Sequence, residues 1–107
     1  MDGSQLLKGV LDLAVLAVLK ERDGYGYDVV RRLREAGLEE VGDASVYGTL
    51  RRLYKAGALT SYVVASDEGP HRKYYGLNDV GRSMYASSAT TWAAFSATMA
   101  SLLKETE

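Results

Sequence analysis

The stretch from Asp43 to Gly57, DASVYGTLRRLYKAG, constrains the fold more than any other part of the chain. Val46, Leu50 and Leu53 recur at helical spacing and predict a stripe that faces a core. At about 3.6 residues per turn, Gly48, Arg51, Arg52 and Lys55 come to the opposite surface, with Tyr47 and Tyr54 at its margin. Asp43 is expected as the N-cap, its carboxylate accepting from first-turn amides, and Gly57 as the left-handed residue that ends the helix. Past Gly57 the pattern changes. Leu59–Ser66 (LTSYVVAS) and Arg72–Leu77 (RKYYGL) are rich in β-branched and aromatic residues, and Asp67-Glu68-Gly69-Pro70 between them is a turn cluster. This predicts a β-hairpin, with Pro70 confined to the loop or the outer end of a strand. Alternation puts His71, Lys73 and Tyr75 on one face of the second strand and Arg72 and Tyr74 on the other. A hairpin this small is marginal alone and must lean on helices.

Those helices precede it. Ser4 can cap a first helix running to about Lys20, whose apolar residues go nearly all round. Such a helix is buried on more than one face, either against a second subunit or at the centre of a monomer. Arg22-Asp23-Gly24 predicts a turn, and a second helix spans about Tyr25 to Ala36, stopped by Gly37, with Val29, Val30 and Leu33 inward. The loop Leu38–Gly42 then joins two short helices compactly, as in a helix-turn-helix, and the hairpin supplies a wing. Asn78 is the expected N-cap of a last helix running to about Lys104. That helix is mostly Ala, Ser and Thr, but Tyr85, Trp92 and Met99, with Phe95 and Leu102, form a heptad seam interrupted by Ser88. It pairs with another subunit or packs on its own first helix. The expected class is mainly α with a small β-hairpin: a winged helix-turn-helix over residues 1–77 and a long C-terminal dimerisation helix over 78–107.

Composition narrows the function. The chain has no cysteine, which removes disulfides, thiolate zinc sites and a thiol nucleophile, and its single histidine, His71, cannot build a multi-histidine metal site. No nucleophile–base pair and no glycine-rich phosphate loop can be placed, so no enzyme, cofactor or metal is expected. Residues 6–19 are apolar but too short to span a bilayer and lack a following cleavage pattern, so the expected location is cytoplasmic, with no membrane partner. Net charge is −1, yet Arg51, Arg52, Lys55, Arg72 and Lys73 face only Asp43, Asp67 and Glu68 between Asp43 and Tyr75. A local basic face on a near-neutral protein can still bind phosphates.

Four motifs in order, LLKGVLDLAVLAVL, YGYDVVRRL, SVYGTLRRLYKAGAL and GPHRKYYGLNDVGR, make nearly the whole chain resemble the PadR family of bacterial transcriptional regulators, in its short subfamily. The resemblance implies a homodimer joined by the first and last helices and bound to a palindromic operator in double-stranded DNA near its own or a neighbouring gene. By motif match, Ser45, Tyr47, Arg51 and Lys55 are the groove-facing set, His71, Arg72 and Lys73 the wing set, and Tyr25 lies near a phosphate. The chain departs from the common family pattern at Gly48, where many members have proline after the tyrosine.

Some dimeric relatives hold flat aromatic compounds between the two last helices, stacked on a tryptophan from each subunit. Trp92 matches that tryptophan, and Leu6, Leu13 and Ser96 would line the same cleft. The small residues around the indole leave space for a ligand or let the helices close up; both readings stand. The expected function is a ligand- or stress-responsive repressor. The alternative is a winged-helix module that binds a ligand or protein and no DNA, to which the near-neutral charge and Gly48 point.

Overall fold

The computed structural model describes residues 2–104; Met1 and residues 105–107, the outer ends of the two expected domains, lie outside the described residues. In order, the elements are α1 (Gly3–Glu21), β1 (Gly24–Tyr25), α2 (Gly26–Glu35), α3 (Asp43–Lys55), β2 (Leu59–Val64), β3 (Arg72–Leu77) and α4 (Asp79–Leu103). The mainly helical class with a winged helix-turn-helix is as expected, with three local corrections.

The first concerns helix starts. Asp2, not Ser4, caps α1: its carboxylate accepts from the Gln5 amide at 3.1 Å while the Gln5 side chain accepts from the Asp2 amide at 3.1 Å. Ser4 instead donates its hydroxyl to Asp2 at 2.9 Å, and this bond, then the Gln5 amide, holds the Asp2 carboxyl below its ordinary value. Likewise Gly42, not Asp43, is the N-cap of α3. Asp43 is the first helical residue and its carboxylate is taken by Arg34.

The second is the sheet. It has three antiparallel strands in the order β1-β3-β2, because Gly24 and Tyr25 pair with Tyr75 and Tyr74, where the end of a turn and the start of a helix are expected. The third is the length of β2, which ends at Val64 rather than Ser66. β2 and β3 run in register from Leu59↔Leu77 to Val64↔Arg72.

One core joins the layers. Leu11, Val15, Leu16 and Leu19 of α1 meet Val29, Val30 and Leu33 of α2, Val46, Leu50 and Leu53 of α3, and Leu59, Tyr75 and Leu77 of the sheet. The predicted inward stripes of α2 and α3 are all buried. Gly37 and Gly57 end α2 and α3 with φ of 120° and 84°, the left-handed conformations that glycine adopts without strain. Buried Arg32 fastens the turn after α1: it pairs with Asp28 at 3.4 Å and donates to the carbonyls of Val18 and Arg22.

α4 differs along its length. At its start Met84 and Tyr85 pack against the core, and Lys20 sits over the Tyr85 ring at 5.4 Å. Beyond residue 90 the helix leaves the domain, giving the molecule a 61 Å long axis against widths of 28 and 20 Å. Trp92, Phe95, Leu102 and Leu103 are 45%, 57%, 73% and 71% exposed.

Candidate nucleic-acid interface

Four attachments hold α3 in place. At its N-terminal end the Arg34 guanidinium donates to the Val41 carbonyl at 2.9 Å and to Asp43 at 2.9 Å, closing the turn between α2 and α3. One turn on, the half-buried Tyr47 ring rests on Gly26, where any Cβ would strike it. On the flank Arg52 grips Asp12 of α1 with two bonds, at 2.7 and 3.1 Å. Hydrogen bonding to Asp12, reinforced by its charge, holds the Arg52 guanidinium above its ordinary value. Arg52, expected among the free surface cations, is therefore a strut between helices.

The fourth attachment is at the C-terminal end. The Asn78 side chain donates to the Gly57 carbonyl at 2.8 Å and accepts from the Gly81 amide at 2.9 Å. The Asn78 amide donates to the Ala58 carbonyl at 3.3 Å. Gly81 is buried against that same carbonyl so closely that a Cβ would collide with it. Asn78 was legible as a cap; its second bond, welding α4 to the end of α3, was not.

The wing is stiffened by aromatic rings. Tyr62 stacks on Tyr74 with centroids 5.7 Å apart, and Tyr25 meets Tyr74 edge-on at 5.4 Å. The Tyr62 hydroxyl donates to Asp23, which pushes the phenol above its ordinary value. Asp23 in turn lies over Gly76, where a side chain would strike it. Arg72 sits over the Tyr25 ring at 4.6 Å, and Lys73 sits 5.6 Å from both the Tyr54 and Tyr75 rings. Arg72 and Lys73 thus take opposite faces of β3, as strand alternation predicts, Arg72 against the β1 ring and Lys73 against a ring of α3.

Between wing and helices lies a cleft of about 370 Å³. Tyr25, Tyr47, Arg51, His71, Arg72 and Lys73 all line it, so six of the eight residues expected at DNA share one concavity. Ser45 and Lys55 are exposed on α3 but do not line the cleft. Tyr25 is the N-cap of α2 and makes no side-chain cap bond to the amides of that first turn. Among the described residues no cluster of histidine and carboxylates has the geometry to hold a metal ion, and no helix is long and apolar enough to cross a membrane.

The residues expected around an effector lie apart from this face. Trp92 and Phe95 are neighbours on α4, with ring centroids 6.2 Å apart at 37°. Leu6 is 58% exposed, Leu13 is half-buried, and the Ser96 hydroxyl donates to the Ala93 carbonyl at 3.2 Å. None of these four residues lines the cleft between wing and helices.

The fold recurs in known proteins. A PadR-like transcriptional regulator from Bacillus cereus is 32% identical and superposes with a TM-score of 0.85, over 95% of this chain and 99% of that one. A Streptococcus transcriptional regulator is also 32% identical, with a TM-score of 0.82 over 94% of this chain and 98% of that one. A protein of Lysinibacillus sphaericus with no assigned role is 27% identical over 95 residues, 87% of each chain. The family model for the transcriptional regulator PadR-like family matches residues 15–87, from the buried part of α1 through the wing into the start of α4. The chain belongs to the PadR-like family of DNA-binding transcriptional regulators.

Proposed function

We propose that the chain acts as a homodimer on a palindromic operator and represses its own or a neighbouring gene until an effector releases it. Each protomer inserts α3 into the major groove and lays the wing on the adjoining backbone or minor groove. Arg51 and Lys55 contact phosphate or guanine, with Ser45 and Tyr47 beside them. His71, Arg72 and Lys73 add backbone contacts from the wing, and Tyr25 with the free amides of α2 receives a phosphate. The observation that carries this reading is the cleft that gathers Tyr25, Tyr47, Arg51, His71, Arg72 and Lys73 beside the exposed face of α3.

Dimerisation is supported by the uncovered apolar residues of distal α4, Trp92, Phe95, Met99, Leu102 and Leu103. Two such helices side by side would form a seam, with Leu6 and Leu13 of α1 at its margin. A flat aromatic effector would stack on Trp92 in that seam, lined by Leu6, Leu13 and Ser96. Release from DNA follows only if the ligand binds the free and DNA-bound arrangements with different affinity.

The test is a salt titration of duplex binding. Replacing Arg51 or Lys55 by alanine should weaken binding about tenfold and lower the log–log salt slope by about one each. An unchanged slope in both variants would sink the groove assignment, and no slope in the parent would make the chain a binding module without DNA. For the effector, Trp92 fluorescence should be quenched by an aromatic compound at the concentrations that free the duplex. Quenching without release would detach the cleft from regulation.

A further inference from the structure

Most helix and strand glycines in this chain are explained by the chain itself. A Cβ would collide with Asp28 and Arg32 at Gly24, with the Tyr47 ring at Gly26, with Asp23 at Gly76 and with the Ala58 carbonyl at Gly81. Gly37 and Gly57 take left-handed backbone. Gly48 is different. It lies inside α3, with no positive φ, and the only atom near its missing Cβ is the end of the Arg51 side chain at 3.9 Å, an ordinary contact. Gly9 of α1, between Leu6 and Leu13, is the other helix-interior glycine with open space around it.

An alanine at position 48 would fit the free protein and favour the helix, so intramolecular packing does not account for the glycine. Its place on the helix does. At about 100° per residue, Gly48 points within about 20° of Lys55 and about 60° to either side of Ser45 and Arg51. It therefore sits, half-buried, at the centre of the outward α3 face, with exposed hydrogen-bonding side chains around a spot that offers none.

We propose that Gly48 is a specificity-determining residue for duplex DNA: the bare backbone there receives the C5-methyl group of a thymine in the major groove. This rests on the reading of α3 as the groove helix. The thymine methyl is the apolar group that projects into that groove, and it needs space and no hydrogen-bond partner. A helix approaching closely enough for Ser45 and Arg51 to reach base edges brings the Gly48 Cα into contact with such a methyl. A Cβ at this position would occupy its place.

The experiment begins with duplexes enriched from a random library by the unaltered protein, bound afterwards by the parent and by Gly48→Ala. The variant should melt about 5 °C higher, as expected for removing a helix-interior glycine, which separates any binding loss from misfolding. It should bind the enriched duplex about tenfold more weakly. Replacing one thymine per half-site by deoxyuridine, which lacks the methyl, should restore binding to Gly48→Ala while weakening the parent. If the parent enriches duplexes and Gly48→Ala binds them equally, the proposal is overturned and the groove reading survives. If the variant's deficit persists with deoxyuridine at every thymine in turn, the methyl contact is overturned. Failure of the parent to enrich any duplex would overturn the groove reading and this proposal with it.

Discussion

α3 and the distal half of α4 are both amphipathic helices built around large apolar residues, but they meet opposite circumstances. α3 buries Val46, Leu50 and Leu53 completely and is tied at its start, flank and end by Arg34, Arg52 and Asn78. Distal α4 carries residues as large, Trp92, Phe95 and Leu102, and leaves them in water. The difference teaches that one protomer suffices to orient α3, whereas it gives the end of α4 nothing to pack on. Exposed apolar area of this kind marks an interface.

The comparison breaks if distal α4 proves indifferent to substitution. Trp92→Glu combined with Phe95→Glu should convert dimer to monomer in sedimentation, and duplex affinity should fall about 100-fold or more as bivalency is lost. Survival of the dimer would place the interface elsewhere. At the other pole, Leu50→Ala in the buried stripe should cost about 3 kcal/mol in denaturant unfolding. A loss under about 1 kcal/mol would mean α3 is less firmly seated than its burial indicates. The smallest effects distinguish two helix starts. Asn78→Ala removes a true cap with a second bond to Gly57 and should cost about 1 kcal/mol or slightly more. Asp43→Ala removes only an exposed partner of Arg34 and should cost less than Asn78→Ala. Thermal melts that rank the two the other way would restore Asp43 as the cap.

What could be read from sequence follows from the range of the interactions. The stripes of α2 and α3, the terminating Gly37 and Gly57, and strand β3 are set by spacing and local backbone demands, and they appear where the periodicity puts them. Strand β1 was invisible because two residues carry no period; it exists through pairing with β3, some fifty residues on. Asp43 looked like a cap because the local rule favours it, but Arg34 reached across the turn and took its carboxylate. Asp2 was within reach of local reasoning: Gln5 three residues later is the reciprocal partner of a capping box, a signal that outranks Ser4 alone. Arg52 was counted as a free cation because Asp12 lies forty residues away in sequence. Of the candidate interface, residue types and order are legible, while the cleft that brings Tyr25 against Arg72 requires the fold.

The Asn78–Gly57 weld, with Gly81 pressed on the Ala58 carbonyl, turns α4 into a lever whose fulcrum is the end of α3. Trp92 stands about 16 Å along the axis from Gly81 at about 1.5 Å per residue, so a shift of about 3 Å there is a rotation of about 10° at the joint. With these contacts kept, α3 turns by the same angle. α3 is about 20 Å long, and that turn carries its far end about 3.4 Å, roughly the rise of one base pair. In the proposed complex, a displacement no larger than the thickness of an aromatic ring, made far from the DNA, would put the helix one step out of register.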